Sequence, residues 1–357
     1  TVEDNVAPVA VCQNITVQLD NSGNASITPL QINDGSSDAC GIQSLVLDIT
    51  TFNCANVNGN TVILTVTDVN GNSNTCSSTV TVQDNVLPVA ECQNLTVQLD
   101  NSGNGSTTAA NVNNGSSDNC AIATLTLSQS TFVCAEVGTN SEVLTVTDVN
   151  GNSSTCTTTI TVEDNVAPIA ICQNLTVQLD NLGIASITAS QVDNGSTDAC
   201  GIASMGINIG TFTCANINAN AVILTVSDVN GNSSTCSATI TVLDTVLPVA
   251  NCQNITVQLD MTGNGFASAN LVDNNSFDAC GIQTMSLNQV FFGCGQVGAN
   301  PVILTVTDVN GNSATCGAVV TVEDTIAPAA VCQNLTVQLD NSGNASIVAS
   351  QIDNGSS

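Results

Sequence analysis

The chain contains no lysine, no arginine and no histidine, against 29 acidic residues in 357. Ordinary soluble proteins are roughly a quarter charged, with both signs present; here every ionised side chain is negative and the net charge is −29. No salt bridge between side chains can form. Without cations there is nothing to neutralise phosphates, so nucleic acid is not expected as a partner. An anionic bilayer should repel the chain as well, and its 42% apolar residues lie in short alternating runs, too short to span a membrane. A nucleophilic triad would lack its base, leaving only carboxylates. Paired carboxylates can support glycoside chemistry, but the recurrent aspartates fall in turn signals and nothing marks a cleft, so we expect no enzyme, no catalytic residue and no organic cofactor. Tryptophan and tyrosine are also absent and phenylalanine numbers seven, which leaves little large surface for stacking or for a core.

What is present is repetition. Cysteines fall at Cys12, Cys40, Cys54 and Cys76, and return 80 residues later at Cys92, Cys120, Cys134 and Cys156. They come again at Cys172, Cys200, Cys214 and Cys236, then at Cys252, Cys280, Cys294 and Cys316, with a seventeenth at Cys332. Such a period marks a tandem array of one module. We divide the chain into residues 1–3, the tail of a preceding copy; four copies at 4–83, 84–163, 164–243 and 244–323; and a partial fifth at 324–357. Thr1-Val2-Glu3-Asp4 matches Thr161-Val162-Glu163-Asp164, which leads us to expect an internal window on a longer array. Eighty residues make a marginal core, and cross-links are the usual remedy. Regular cysteines in such modules imply an oxidising compartment. Zinc is the competing reading, but close ligand pairs and histidine are missing.

Within one copy, Asn14 to Leu19 alternates outward Asn14, Thr16 and Gln18 with inward Ile15, Val17 and Leu19, the pattern of a half-buried strand. A turn at Asp20–Asn24 ends it. Ala25 to Ile32 reads as the returning strand, and Ile42 to Leu47 as a third after a polar loop. A looser stretch holds Phe52 and Cys54; then Thr61–Thr67 and Ser73–Val82 flank Asp68-Val69-Asn70-Gly71-Asn72, where Asn-Gly signals a hairpin because both residues tolerate positive φ. No helical period is sustained, and turn signals recur at the spacing of antiparallel sandwiches. The expected fold is all-β: tandem Ig-like β-sandwich modules stacked end to end as an elongated rod. Pro8, Pro88, Pro168, Pro248 and Pro328 follow Asp-Asn or Asp-Thr at each junction, as in a stiff linker.

The frame Ala7-Pro8-Val9-Ala10-Val11-Cys12-Gln13-Asn14-Ile15-Thr16-Val17, with Asp38-Ala39-Cys40-Gly41 and Thr65-Val66-Thr67-Asp68-Val69-Asn70-Gly71-Asn72-Ser73-Asn74-Thr75-Cys76, resembles the hyalin-repeat domain. It is most similar to versions strung together in giant secreted surface proteins of Bacteroidetes. The resemblance implies an Ig-like module associated with extracellular adhesion, with no catalytic residues to carry over. It also implies that the first and last cysteines of each copy pair, Cys12 with Cys76 and its equivalents, leaving Cys40 with Cys54, Cys120 with Cys134, Cys200 with Cys214 and Cys280 with Cys294. A fully extended run of the 14 residues from Cys40 to Cys54 would span about 46 Å, so that bond requires the chain to double back. The alternative is that Cys54 reaches a neighbouring copy.

Aspartates also keep the period. If the first strand runs away from the preceding copy, linker Asp4, loop Asp38 and hairpin Asp68 with Asn70 gather at one pole. The corresponding sets are Asp84, Asp118 and Asp148; Asp164, Asp198 and Asp228; and Asp244, Asp278 and Asp308. The turn at Asp100 and the loop around Asn140 would then face the next copy. Hard oxygen ligands at a joint, with no cation of the protein's own, suit Ca²⁺. The plainer reading is turn chemistry, since Asp and Asn bond their own backbone, and the EF-hand pattern is broken because no Glu follows at the twelfth position after Asp68, where Val80 stands near by. Sequons such as Asn14-Ile15-Thr16 follow from composition. Asp244-Thr245-Val246 and Asp324-Thr325-Ile326 resemble the O-glycosylation site of Bacteroidetes, at Thr245 and Thr325.

Two functions follow. One is a shaft or spacer in a long extracellular fibre or cell-surface adhesin for attachment or gliding motility, partnered by further copies in a longer chain and by identical chains in a filament. The other makes the repeats themselves the adhesive element, binding glycans or a surface by multivalency. The frame and hairpin barely change between copies while residues 43–61 drift, which favours the shaft.

Overall fold

The computed structural model describes residues 2–357, almost all of them in strands, turns and loops. In the first copy the elements are β1 (Ile15–Gln18), β2 (Asn24–Ser26), a one-turn helix α1 (Pro29–Ile32), β3 (Ile42–Leu47), β4 (Thr51–Asn53), β5 (Asn58–Asp68) and β6 (Ser73–Gln83). Four strands form one sheet in the order β1-β6-β5-β3, and β2 pairs with β4 in a second. The same two sheets recur in all four complete copies, so the chain is a tandem series of four Ig-like sandwich modules.

The β5–β6 hairpin is the spine, antiparallel from Asn58 opposite Val82 to Thr67 opposite Ser73. Its period-two alternation sends Val62, Leu64, Val66, Val80 and Val82 inward, where all are buried. Phe52 from β4, Leu47 from β3, Ile32, Ile27 and Leu19 close over them. One phenylalanine per copy, Phe52, Phe132, Phe212 and Phe292, is buried in this way. Burying such a ring contributes about 1.5–3 kcal/mol, and a core with one aromatic leaves much for cross-links to do.

One expectation needs correction. The stretch from Ala25 to Ile32 is not one strand, because β2 ends at Ser26 and the chain makes a helical turn. Pro29, whose φ is fixed by its ring, opens that turn. Gln31 Oε1 accepts both the backbone N–H of Thr28 at 2.7 Å and its hydroxyl at 3.0 Å. Ile32 still points inward, so alternation alone could not separate the two readings. β1 pairs parallel with β6, Ile15 beside Val80 and Val17 beside Val82. A parallel pair needs a long crossover, which the rest of the copy supplies, and it sets the entering and leaving strands side by side. The hairpin tip also differs in detail. Only Gly71 has positive φ, at 93°, and the Asp68 carboxylate, accepting N–H groups of Asn70 and Asn72 at 2.8 Å each, holds the loop.

Cys12 and Cys76 bond the segment before β1 to β6, with a Cα–Cα distance of 5.7 Å. Cys92–Cys156, Cys172–Cys236 and Cys252–Cys316 repeat the bond. The chain divides into two compact units, Thr1–Ile169 with Thr197–Ala203 and Ser227–Ser233, and Ala170–Ser196 with Ser204–Val226 and Ser234–Ser357. The first unit thus holds the first two repeats together with the linker, a loop and the hairpin tip of the third.

Candidate site at the joint between copies

The second family of cysteines does not pair within copies. Cys54 bonds Cys120 of the next copy at a Cα–Cα distance of 5.3 Å, and Cys134–Cys200 and Cys214–Cys280 do the same at 5.1 and 5.3 Å. The Cys40–Cys54 pairing and its equivalents, Cys120–Cys134, Cys200–Cys214 and Cys280–Cys294, are therefore wrong. The six residues of β3 run between the two cysteines and carry the chain about 20 Å, from the loop beside Asp4 to the end where Asp20 turns. A disulfide needs Cα atoms within about 7 Å. Cys54 instead lies against the following copy, while Cys40, Cys294 and Cys332 have exposed free thiols.

The Asp20–Asn24 turn makes this approach. Gly23 sits at φ +73°, and a Cβ there would lie 2.8 Å from Cys54 Sγ and 2.9 Å from the Asn119 carbonyl. Glycine is required twice, once for the dihedral and once for the contact. Asn119 donates from Nδ2 to the Asp20 carbonyl at 3.1 Å and to Asp84 Oδ1 at 3.2 Å, tying the turn of one copy to the linker and loop of the next.

Three acidic elements converge there. Carboxylate oxygens of Asp84, Asp118 and Asp148 all lie within 4.8 Å of one another. Asp84 is only 6% exposed and Asp148 only 2%. Each carboxylate is aimed by backbone. Asp84 Oδ1 accepts the Val86 N–H at 3.1 Å, Asp118 Oδ2 those of Cys120 and Ala121 at 2.8 and 3.1 Å, and Asp148 Oδ1 those of Asn150 and Asn152 at 2.8 Å each. Asn152 Nδ2 then bridges Asp148 Oδ2, at 2.7 Å, to the Asp84 carbonyl, at 3.1 Å. The remaining oxygens, Asp84 Oδ2 and Asp118 Oδ1, are buried without a hydrogen-bond donor, as are the amide oxygens of Asn119 and Asn150.

At the other poles the linker and loop aspartates meet a cysteine in place of the hairpin aspartate: Asp4 and Asp38 with Cys40, Asp164 and Asp198 with Cys200, Asp244 and Asp278 with Cys280. The hairpin residues Asp68, Asp228 and Asp308 are buried near by, and Asn72, Asn232 and Asn312 donate to their second oxygens as Asn152 does to that of Asp148; Asp164 Oδ2, Asp244 Oδ2 and the Asn230 amide oxygen are likewise buried without a donor. Burial alone would push the carboxyls of Asp68 and Asp228 up; hydrogen bonds from the Asn72 and Asn232 side chains and from turn N–H groups outweigh it and lower both. Asp244 goes the other way. Burial raises it, the Val246 N–H opposes, and the charges of Asp278 and Asp308 raise it further.

No family model matches the chain. It is 28% identical over 226 residues to hyalin of Strongylocentrotus purpuratus, a match covering 59% of this chain and 18% of hyalin's length. Among solved structures it is similar to the protocadherin GammaB4 extracellular domain, with a TM-score of 0.32 and 16% identity over 96% of this chain and 70% of that one. The human desmocollin-1 ectodomain gives a TM-score of 0.25 at 12% identity, covering 90% and 80%. For the Sidekick-1 immunoglobulin domains 1–4 the values are 0.27 and 8%, covering 90% and 100%.

The joint thus combines a covalent staple, a glycine-dependent close contact and an acidic cage. Sequence reading missed Asn119 and Asn150. Asn119 did carry a signal, standing where Ala39, Ala199 and Ala279 fill the other copies. Asn70, its hairpin exposed, donates its N–H to Asp68. Thr245 and Thr325 are exposed and donate their hydroxyls to Gln178 at 3.3 Å and Gln258 at 3.0 Å. Among the described residues no helix is long and apolar enough to cross a membrane.

Proposed function

We propose that this chain is a load-bearing spacer of an extracellular fibre or adhesin, assigned to an oxidising compartment by its seven disulfides. The observation that carries the reading is the bonding of each copy to the next. Cys12–Cys76 closes residues 13–75 in a covalent loop, and Cys54–Cys120 ties that loop to the next one in parallel with the linker. One backbone cut anywhere between Cys12 and Cys316 therefore leaves a single covalent molecule. A binding module gains nothing from that redundancy; a strut does. The acidic joints fit as places where a hard cation would tie linker, loop and hairpin together. The hyalin similarity agrees with a repeat region of adhesion type.

Stretching the intact chain from its ends is the test. Steps of about 200 Å, the length of the 64 residues between Cys12 and Cys76 at about 3.4 Å each, should appear only with reductant. Such steps without reductant would remove the load-bearing claim. Saturable binding of the oxidised chain on a glycan array would favour the alternative, in which the repeats themselves adhere.

A further inference from the structure

We propose that the joint led by Asp84 is a Ca²⁺ site, formed by carboxylate oxygens of Asp84, Asp118 and Asp148 and completed by the amide oxygens of Asn119 and Asn150. It deepens the spacer reading at one joint, and its test reads cation binding, which stands or falls separately from the mechanical role.

The argument begins with an imbalance. Three carboxylates gather at a joint, two of them nearly fully buried, in a chain that has no cationic side chain to offer. Burying a charge without a partner is expensive, and no residue of this protein can be that partner. Every orphaned polar atom here is an oxygen: Asp84 Oδ2, Asp118 Oδ1, Asn119 Oδ1 and Asn150 Oδ1. Turn chemistry explains the other oxygens of Asp84 and Asp118, which accept backbone N–H groups. It does not explain why the outward halves are sealed from both water and donors. The N–H bonds aim each group, as outer-shell partners orient metal ligands.

The donor set selects the ion. Oxygens that share one Ca²⁺ at about 2.4 Å are at most about 4.8 Å apart, and the three carboxylates meet that limit. Ca²⁺ takes mixed carboxylate and amide oxygens in irregular number, whereas Mg²⁺ demands near-octahedral geometry and keeps its waters. Zinc would seek nitrogen or thiolate, but Cys120 is spent in a disulfide. The Asp84 joint is also the best equipped. At the two following joints the third group is a bonded cysteine sulfur, Cys200 or Cys280, and alanine replaces Asn119.

Calorimetric titration of the full oxidised chain with CaCl₂, and separately with MgCl₂, tests the site. Asp84→Asn and Asp118→Asn should each remove about one equivalent of bound Ca²⁺. Asn119→Ala, which gives this joint the composition of the others, should weaken that equivalent about tenfold. Asp48→Asn, at an exposed carboxylate that bonds the Ile63 N–H, should change nothing. Non-reducing peptide maps confirm that each variant keeps the Cys54–Cys120 bond, and either aspartate variant suffices if the other fails to fold. The site is overturned if the wild-type chain takes up no Ca²⁺ at millimolar concentration, if both aspartate variants keep full stoichiometry, or if Mg²⁺ competes equally.

Discussion

The poles of the first and second copies use the same residues in different surroundings. Asp4, Asp38 and Cys40 match Asp84, Asp118 and Cys120. At the first pole Asp4 is half-buried and Cys40 is an exposed free thiol. At the second, with the Asp20 turn and Cys54 of the first copy against it, Asp84 is buried, one of its oxygens has lost every donor, and Cys120 is bonded. The internal ties survive at both: Asn72 Nδ2 reaches the Asp4 carbonyl at 3.0 Å as Asn152 Nδ2 reaches that of Asp84 at 3.1 Å. A copy therefore builds its own turn, but the staple and the sealed acidic cage belong to the joint.

The largest break in that contrast comes from removing the staple. Cys54→Ser with Cys120→Ser opens a loop closed across 66 residues, worth about 4 kcal/mol in the chain-entropy model. The melting of these two copies should fall accordingly, and a linker cut should then release fragments on a non-reducing gel. Next is Gly23→Ala. Its positive φ costs an alanine about 1–2 kcal/mol, and the clash with Cys54 and Asn119 adds about 1–3 kcal/mol of overpacking. Gly35, at φ +83° with nothing within 4 Å of an added Cβ, is the control: Gly35→Ala should show the dihedral cost alone. Equal losses at the two positions in urea titrations would mean the joint is looser than the contact requires.

Most of the fold was legible from one copy because alternation and turns are local. Strand β3 falls at Ile42–Leu47 as read, and the Asp68–Asn72 hairpin lies between its two long strands. Pro29 and Gln31 were the unread sign of a helical turn within an apparently continuous strand. The joint was legible only in outline. A direction for the first strand and the turns that follow it place linker, loop and hairpin aspartates at one end, but which cysteine Cys54 meets depends on packing between copies, and that is not periodic information. Sequence identity between copies even misleads, since a repeated cysteine is equally consistent with a bond inside its own copy or to the next.

A smaller effect sharpens the comparison at residue 121. Gly41, Gly201 and Gly281 take φ near +105°, whereas this joint has Ala121 at φ +147°, a region that costs a side chain about 1–3 kcal/mol. Ala121→Gly should therefore stabilise the chain by about 1 kcal/mol in urea denaturation, provided the cage holds this loop as tightly as its neighbours are held. No gain would show that the loop relaxes freely.

The smallest effect is at the first pole. A hydrogen bond and the charge of Asp4, then burial, then the charges of Asp38 and Asp68 raise the Cys40 thiol above its ordinary range. A raised pKa leaves less thiolate at any given pH, and the thiolate is the nucleophile. Iodoacetamide should thus modify Cys40 more slowly than Cys294 at neutral pH, with the gap closing as pH rises past the Cys40 titration. Asp4→Asn removes the leading cause and should speed the reaction several-fold. If the rate stays unchanged, water screens the charges of Asp4, Asp38 and Asp68 from the Cys40 thiol.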